Sequence, residues 1–445
     1  MSRASHHFPR NFKWGCATAA HQVEGNNRNN QWWAWEQQAG RIVDGDRSEI
    51  ACDWWRSAEA DFDRMAEMGL NAHRLSVEWS RIEPSEGRFD SASLDHYRGM
   101  LMALRKRGIE PMITLHHFTN PIWFEERGSW TNRDACVRFF ARFVERVAFA
   151  LGDLCDLWCT INEPNVYGVL GWVAGYHPPG KMGDYQGAFE VVRNMLLGHA
   201  AAYQVLHERA RNPRVGLAHQ MRPFEPLRDG NLLDSLPARF YDQAFNHGIL
   251  RALGSGSWPS LLRGGSPPSA RVLRGTLDWI GLNYYTRERI TFDLRARESW
   301  YAKRLFTPGE PVSDFNYGEL YAPGFLRCLG TISRMGVPIY VTENGVPDAI
   351  DSFRPGFLLE HLKQLWLAIQ FCYDVHGYYH WSFVDNFEWS EGWRMKFGLY
   401  ELNRSTQGRT LRPSGRLYGN IVQTSALTNI QAEQFAPESL RVLFP

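Results

Sequence analysis

Eight short apolar runs separated by segments of helical period constrain this chain of 445 residues more than any other feature. The runs are Phe12–Ala20, Ala72–Trp79, Pro111–Phe118, Leu157–Asn162, Val215–Met221, Asp278–Tyr285, Pro338–Thr342 and Gly377–Val384. Such alternation is the signature of βα units around a parallel sheet. After the first run, Trp55, Ala58, Phe62 and Met65 recur three and four residues apart, with Asp53 placed to cap that helix and Gly69 to end it. Phe139, Phe143 and Val147 repeat the pattern before the fourth run, and Leu358, Leu362, Leu365 and Ile369 before the eighth. Eight units predict a single domain over residues 1–445 built as one closed (β/α)₈ TIM barrel, with the barrel over about 12–420 and a C-terminal tail at 421–445 that carries no evident function. An open doubly wound sheet is the rival, but the Gly-rich nucleotide fingerprint after the first strand is missing. The excess over a roughly 250-residue barrel falls in long connections. These lie around Asn26–Ile50, Tyr167–Gln186 and Arg287–Gly318, all after strands, on the face where barrel substrates bind. The Gly/Pro/Ser-rich patches at Gly254–Pro259 and Arg263–Ser269 are too short for linkers.

Charge narrows the partners. Lys+Arg 49 against Asp+Glu 48 leaves +1, no footprint for nucleic acid or an anionic membrane. No run reaches the roughly 18 apolar residues of a spanning helix, and Met1–Phe12 has no apolar stretch of a secretory signal. The seven cysteines are odd in number, scattered, and without a C-x-x-C pair, which fits reduced thiols in a cytoplasmic protein better than disulfides or zinc. A lone sequon at Asn403-Arg404-Ser405 carries little weight. Aromatic residues are abundant, with 18 Trp, 17 Tyr and 26 Phe, and such faces stack on sugar rings as well as filling cores.

Chemistry in a barrel belongs at the C-terminal ends of strands. The fourth run closes as Asn162-Glu163-Pro164 and the seventh as Thr342-Glu343-Asn344-Gly345, placing a glutamate beside an asparagine on opposite sides of the barrel mouth. Paired carboxylates across a sugar-sized gap suit glycosidic cleavage, one protonating the leaving oxygen and the other supporting charge at the anomeric carbon. The plainer reading has each glutamate capping a helix or pairing with an arginine. Other strand ends supply Arg74, a cation able to hold a carboxylate ionised. They also supply His116 and His117, Asn283 and Tyr285, and Asn386-Phe387-Glu388-Trp389. The two histidines lack a third ligand at metal spacing, and His116 reads as packing.

These segments resemble glycoside hydrolase family 1, the β-glucosidase family, from about Phe12 to about Tyr418. Phe12–Gly25 resembles its opening strand and Arg74–Ile82 its second. Asn162-Glu163-Pro164 and Thr342–Gly345 resemble its catalytic motifs, and Trp381–Trp389 its sugar-binding eighth strand. The resemblance implies Glu163 as general acid/base and Glu343 as nucleophile of a retaining double displacement, with carboxyls roughly 5–5.5 Å apart. It implies that Arg74 and Tyr285 support Glu343, and that Gln22, His117, Asn162 and Glu388 grip ring hydroxyls. Trp381 and Trp389 would line the pocket, unless they are core, with Phe397 as an apolar wall near the exocyclic carbon. No cofactor and no metal are implied. The substrate implied is a small β-glycoside or oligosaccharide with a terminal unphosphorylated glucosyl, galactosyl or fucosyl unit. Relatives acting on phosphorylated sugars replace the Glu388-Trp389 pair, and Glu388 would repel a phosphate.

The pattern departs in places. Phe118 and Thr119 stand where much of the family has Trp and Asp, the Asn26–Trp35 loop is short and Asn-rich, and Trp393 replaces a frequent Tyr and would enlarge the aromatic surface. Two alternatives stay open: a non-catalytic sugar-binding barrel, and a transglycosylase using the same glycosyl-enzyme. Glycone preference, aglycone and oligomeric state are not encoded in any motif.

Overall fold

The computed structural model describes residues 4–259 and 269–445, so all of the Arg263–Ser269 patch except Ser269 lies outside the described residues. Eight parallel strands close a barrel. They are β1 (Lys13–Ala17), β2 (Ala72–Ser76), β3 (Glu110–His116), β4 (Leu157–Asn162), β5 (Arg214–Gln220), β6 (Ile280–Tyr284), β7 (Ile339–Asn344) and β8 (Val375–Trp381). Every expected run contributes its strand. Each residue of β2, β4, β6 and β7 is buried, so those runs lack the apolar–polar alternation of a one-sided sheet, and their polar members, such as Arg74, Asn162, Asn283 and Glu343, are buried with the rest. Inside the barrel, Ala17, Ala72 and Ala218 make room for the large rings of Trp279, Tyr340 and Tyr379. Gly216 belongs to the same size matching, since a Cβ there would stand 2.6 Å from the Trp279 indole. This inner cluster continues upward to Trp381, Met395 and Phe397.

The outer layer includes α1 (Trp54–Glu67), α2 (Ser91–Lys106), α3 (Arg133–Leu151) and α4 (Tyr185–Arg209). It continues with α5 (Gly248–Ser255), α6 (Ala322–Ile332), α7 (Arg354–Gln370) and α8 (Pro413–Thr424). The periodic residues face inward as expected: Phe139, Phe143 and Val147 on α3, and Leu358, Leu362 and Leu365 on α7, are buried. Asp53 does not cap α1. Its backbone is left-handed (φ 54) and its carboxylate pairs with Arg56 at 2.8 Å. The asparagines of the opening loop are structural pegs. Asn30 accepts from the Trp33 amide to cap a short helix, and the Asn29 amide donates to the Pro84 carbonyl.

Two regions depart from the expected plan. The Arg287–Gly318 connection contains paired strands, Glu288–Phe292 and Ala302–Leu305, which join Phe224–Pro226 in a three-stranded sheet over the barrel mouth. The tail starts later than residue 421, because α8 runs on to Thr424. Beyond it, Ala426–Thr428 pairs antiparallel with Ser5–His7, and His6 stacks on Phe444 at 4.6 Å, so the tail ties down the N-terminal strand. All seven cysteines are unpaired, six of them buried and Cys372 exposed. Among the described residues no helix is long and apolar enough to cross a membrane.

Candidate active site

The C-terminal ends of the strands surround a cavity of about 290 Å³. Its lining includes His117, Asn162, Glu163, Tyr285, Glu343, Trp381, Glu388 and Trp389, eight of the residues singled out from sequence. Arg74, Asn283, Gln22 and Phe397 lie behind that lining, all but Phe397 hydrogen-bonded to it.

Glu163 follows β4 with a left-handed backbone (φ 47) and opens a short helix whose first residue is Pro164. A proline there has no amide to cap, and the Glu163 side chain makes no cap. It accepts instead from the Asn283 amide at 2.7 Å. The same amide nitrogen donates to Asn162 Oδ1 at 3.1 Å, and Asn283 Oδ1 accepts from Thr342 at 2.6 Å. One side chain from β6 therefore spans the ends of β4 and β7.

Glu343 is held differently. Arg74, reaching from β2, donates to Glu343 Oε1 at 2.5 Å and to Asn162 Oδ1 at 2.6 Å. The Tyr285 hydroxyl donates to Glu343 Oε2 at 2.5 Å. Both carboxylate oxygens thus face donors, one of them a buried guanidinium. The register of β7 shifts between Val341 and Glu343. Two residues on, Gly345 meets the Trp381 carbonyl so closely that a Cβ would lie 1.8 Å from it. Glycine is what lets the two strand ends approach.

Glu163 is pushed up to about 8, first by burial and second by the negative charge of Glu343, with the Asn283 hydrogen bond and Arg74 opposing. Its proton is therefore held at neutral pH. Burial, with Arg74 nearby, lowers His117 well below the usual imidazole range, so its ring is neutral. His117 Nδ1 is buried without a protein partner.

Opposite Glu163, the Gln22 amide donates to Glu388 Oε2 at 3.2 Å and to the Phe387 carbonyl at 2.9 Å, while Gln22 Oε1 is buried without a partner. Burial and the Glu343 charge push Glu388 up to about 8, so at neutral pH it offers a donor and an acceptor. Trp381 lies nearly parallel to the His117 ring (15°, 6.0 Å), and Trp389 stacks on His21 at 5.8 Å.

Other expectations change. Phe397 is not a wall of the cavity; it is buried with its ring 6.0 Å from Tyr285 and 5.4 Å from Tyr317, which themselves form the lining. Trp393 adds nothing to the aromatic surface, because its indole turns away to donate to the Arg47 carbonyl at 2.9 Å. Phe118 does line the cavity, while Thr119 turns to Glu78 at 2.9 Å. His116 packs against Trp130 and bonds Asn120 at 2.9 Å. Among the described residues no group of three His, Cys, Asp or Glu could hold a metal ion. The reading missed Leu170, His177, Arg222, Arg304 and Tyr317, which also line the cavity. Four of these, all but Arg222, sit on the long connections, whose existence was visible but whose inward-facing members no periodicity marks.

Comparison with known proteins agrees with this geometry. The sequence model for glycosyl hydrolase family 1 matches residues 4–427. The chain is 32% identical to β-glucosidase A of Thermotoga maritima, covering 94% of this chain and 98% of that protein. It is 30% identical to a β-galactosidase of Pyrococcus woesei, covering 95% and 98%. Among solved structures, a β-glycosidase from Pyrococcus horikoshii superposes with a TM-score of 0.88 at 34% identity, covering 97% of this chain and 98% of that one. The β-glucosidase from Thermotoga maritima in complex with glucoimidazole does so with a TM-score of 0.88 at 30% identity, covering 95% and 100%. A match of this extent, around a barrel whose two strand-end glutamates meet different hydrogen-bond donors, means that the chain belongs to glycosyl hydrolase family 1 and is a glycosidase.

Proposed function

We propose that the enzyme is a retaining, exo-acting β-glycosidase that releases a terminal unphosphorylated β-D-glucosyl unit, and related galactosyl or fucosyl units, from small β-glycosides. The observation that carries this reading is the contrast between Glu343, gripped by Arg74 and Tyr285, and Glu163, whose proton burial retains up to about 8. The Glu343 carboxylate attacks the anomeric carbon while Glu163 passes its proton to the departing oxygen, forming a glycosyl ester. Ester formation removes the charge on Glu343, one of the two causes that keep Glu163 protonated. Glu163 then takes a proton from water, which cleaves the ester and restores both groups. Two displacements return the original anomeric configuration.

Gln22 and Glu388 on one side and His117 and Asn162 on the other supply the hydrogen bonds for a sugar ring above Trp381. Of the basic groups that follow the eighth strand, on the side of Gln22 and Glu388, Arg394 is taken by Glu391 at 2.8 Å and Lys396 is absent from the lining, which supports an unphosphorylated glycone. Relatives named for glucose and for galactose support both glycones. Unpaired, buried cysteines support a cytoplasmic setting. A panel of nitrophenyl glycosides tests the reading: the β-glucoside should be cleaved with retention, the α-glucoside and the phosphorylated β-glucoside left intact, and Glu343→Gly should be inactive. An inverted product, or undiminished hydrolysis by Glu343→Gly, would refute it.

A further inference from the structure

The cavity is not electrically uniform. Arg222, just beyond β5, and Arg304, on the strand Ala302–Leu305, both line it. Both turn to one carboxylate: Arg222 Nη1 pairs with Glu288 Oε1 at 2.6 Å, and Arg304 pairs with Glu288 Oε2. Arg222 Nη2 donates to Gln220 at 2.7 Å and Arg304 Nη2 to the Tyr317 carbonyl at 3.1 Å, both neutral acceptors. Arg222 Nε is buried without a hydrogen-bond partner. Two guanidiniums therefore share one carboxylate and leave one positive charge in excess.

Nothing else in the lining cancels that charge. Arg74 is paired with Glu343 and Arg394 with Glu391. Glu163 and Glu388 keep their protons at neutral pH, and burial holds His117 and His177 neutral. The excess also has a definite side. β5 stands across the closed barrel from β1, and the residues proposed to grip the glycone, Gln22 and Glu388, follow β1 and β8. Arg222 lies near enough to Glu163 for its charge to act on that carboxyl, the group that protonates the departing oxygen. The cation thus sits where the leaving group sits.

Beside it is a second cavity of about 250 Å³, sharing Leu170, Arg222 and Arg304 with the first and walled by Val169, Phe189 and Phe224. A guanidinium pair at the edge of an apolar chamber matches a flat apolar group bearing an anion. We propose that Arg222 and Arg304 select β-glycosides whose leaving group carries a carboxylate, specifically an aromatic acid. The inference rests on the glycosidase reading above and adds the substrate class on the aglycone side.

Para-carboxyphenyl and para-carbamoylphenyl β-D-glucosides test it, because they are close to isosteric and differ in charge. The amide is the better leaving group, so chemistry alone favours it, and a preference for the acid reports recognition. The expected wild-type kcat/KM ratio of acid to amide is about ten at neutral pH and low salt, equivalent to about 1.4 kcal/mol. In Arg222→Gln and in Arg304→Gln the ratio should fall to one or below. Taking the ratio within one protein cancels any effect of a variant on Glu163 or on overall folding. Arg304 is 45% exposed, so its variant carries the test if Arg222→Gln does not fold. A wild-type ratio at or below one, or a wild-type preference that survives both substitutions, overturns the proposal. So does a carboxylate preference confined to glucosyl-glucuronate over cellobiose, which would assign the cations to uronic acids. If even para-nitrophenyl β-glucoside is untouched, the glucosidase reading falls and this inference with it.

Discussion

Replacing Glu343 by glutamine should make Glu163 a stronger acid by about two pKa units. Glu163 is raised from 4.5 to about 8 by burial first and by the Glu343 charge second. The substitution keeps the shape and the burial and removes only the charge. Two unit charges roughly 5 Å apart, as in retaining pairs, interact by about 3 kcal/mol at an effective dielectric of about 20, and about 1.4 kcal/mol corresponds to one pKa unit. Glu163 should therefore titrate near 6 in the variant, because burial remains. Carbon-13 NMR of glutamate labelled at the side-chain carboxyl reads this directly, with Glu163→Gln assigning the resonance. The kinetic counterpart in the wild type is a fall in kcat/KM as pH rises through about 8, since the acid must be protonated to serve the departing oxygen. A titration unchanged between wild type and Glu343→Gln would show that the two carboxyls do not sense each other. A wild-type Glu163 titrating below about 5 would refute the whole electrostatic argument.

Three further outcomes follow from the same contacts. Glu388 also has its folded pKa raised from 4.5 to about 8, so stability is lost as pH climbs through that window; Glu388→Gln should melt above the wild type at about pH 9 and level with it at about pH 4, by calorimetry. Arg74→Met removes the buried guanidinium that Glu343 and Asn162 share, leaving them only Tyr285 and Asn283 as donors, and should cost about 3–5 kcal/mol in urea unfolding, along with most activity. Gly345→Ala puts a Cβ 1.8 Å from the Trp381 carbonyl and must spread β7 from β8, so kcat/KM should fall by at least tenfold, about 1.4 kcal/mol of transition-state stabilisation, even where the protein stays soluble.

The barrel was legible in the sequence because parallel strands covered on both faces need continuous apolar runs, and helices packed on one side need apolar residues three and four apart. Those are local rules, and they mark all eight runs even where polar residues such as His73 and Arg74 interrupt them. The paired strands inside Arg287–Gly318 were not legible, because short strands at the barrel mouth have half-exposed residues and no sustained alternation. Asp53 shows the reverse failure: a residue suited to capping took a left-handed backbone and an ion pair instead. Phe397 and Trp393 show why a correct position along the chain does not settle which way a ring turns, since Tyr317 and the Arg47 carbonyl claimed them.

By itself, the sequence determined the eight units, the two glutamates at facing strand ends, and the polar side chains beside them, because strand ends carry chemistry whatever the loops do. Only the tertiary structure decided which donors each glutamate meets. Asn283 bonds a partner 120 residues away and Arg74 one 269 residues away, separations at which no periodicity survives. Burial acts in the same non-local way. Side chains from several strands bury Glu163 and half-bury Glu388, and that burial, with the charge of Glu343, raises two carboxyls toward neutrality while Arg74 and Tyr285 clasp the third.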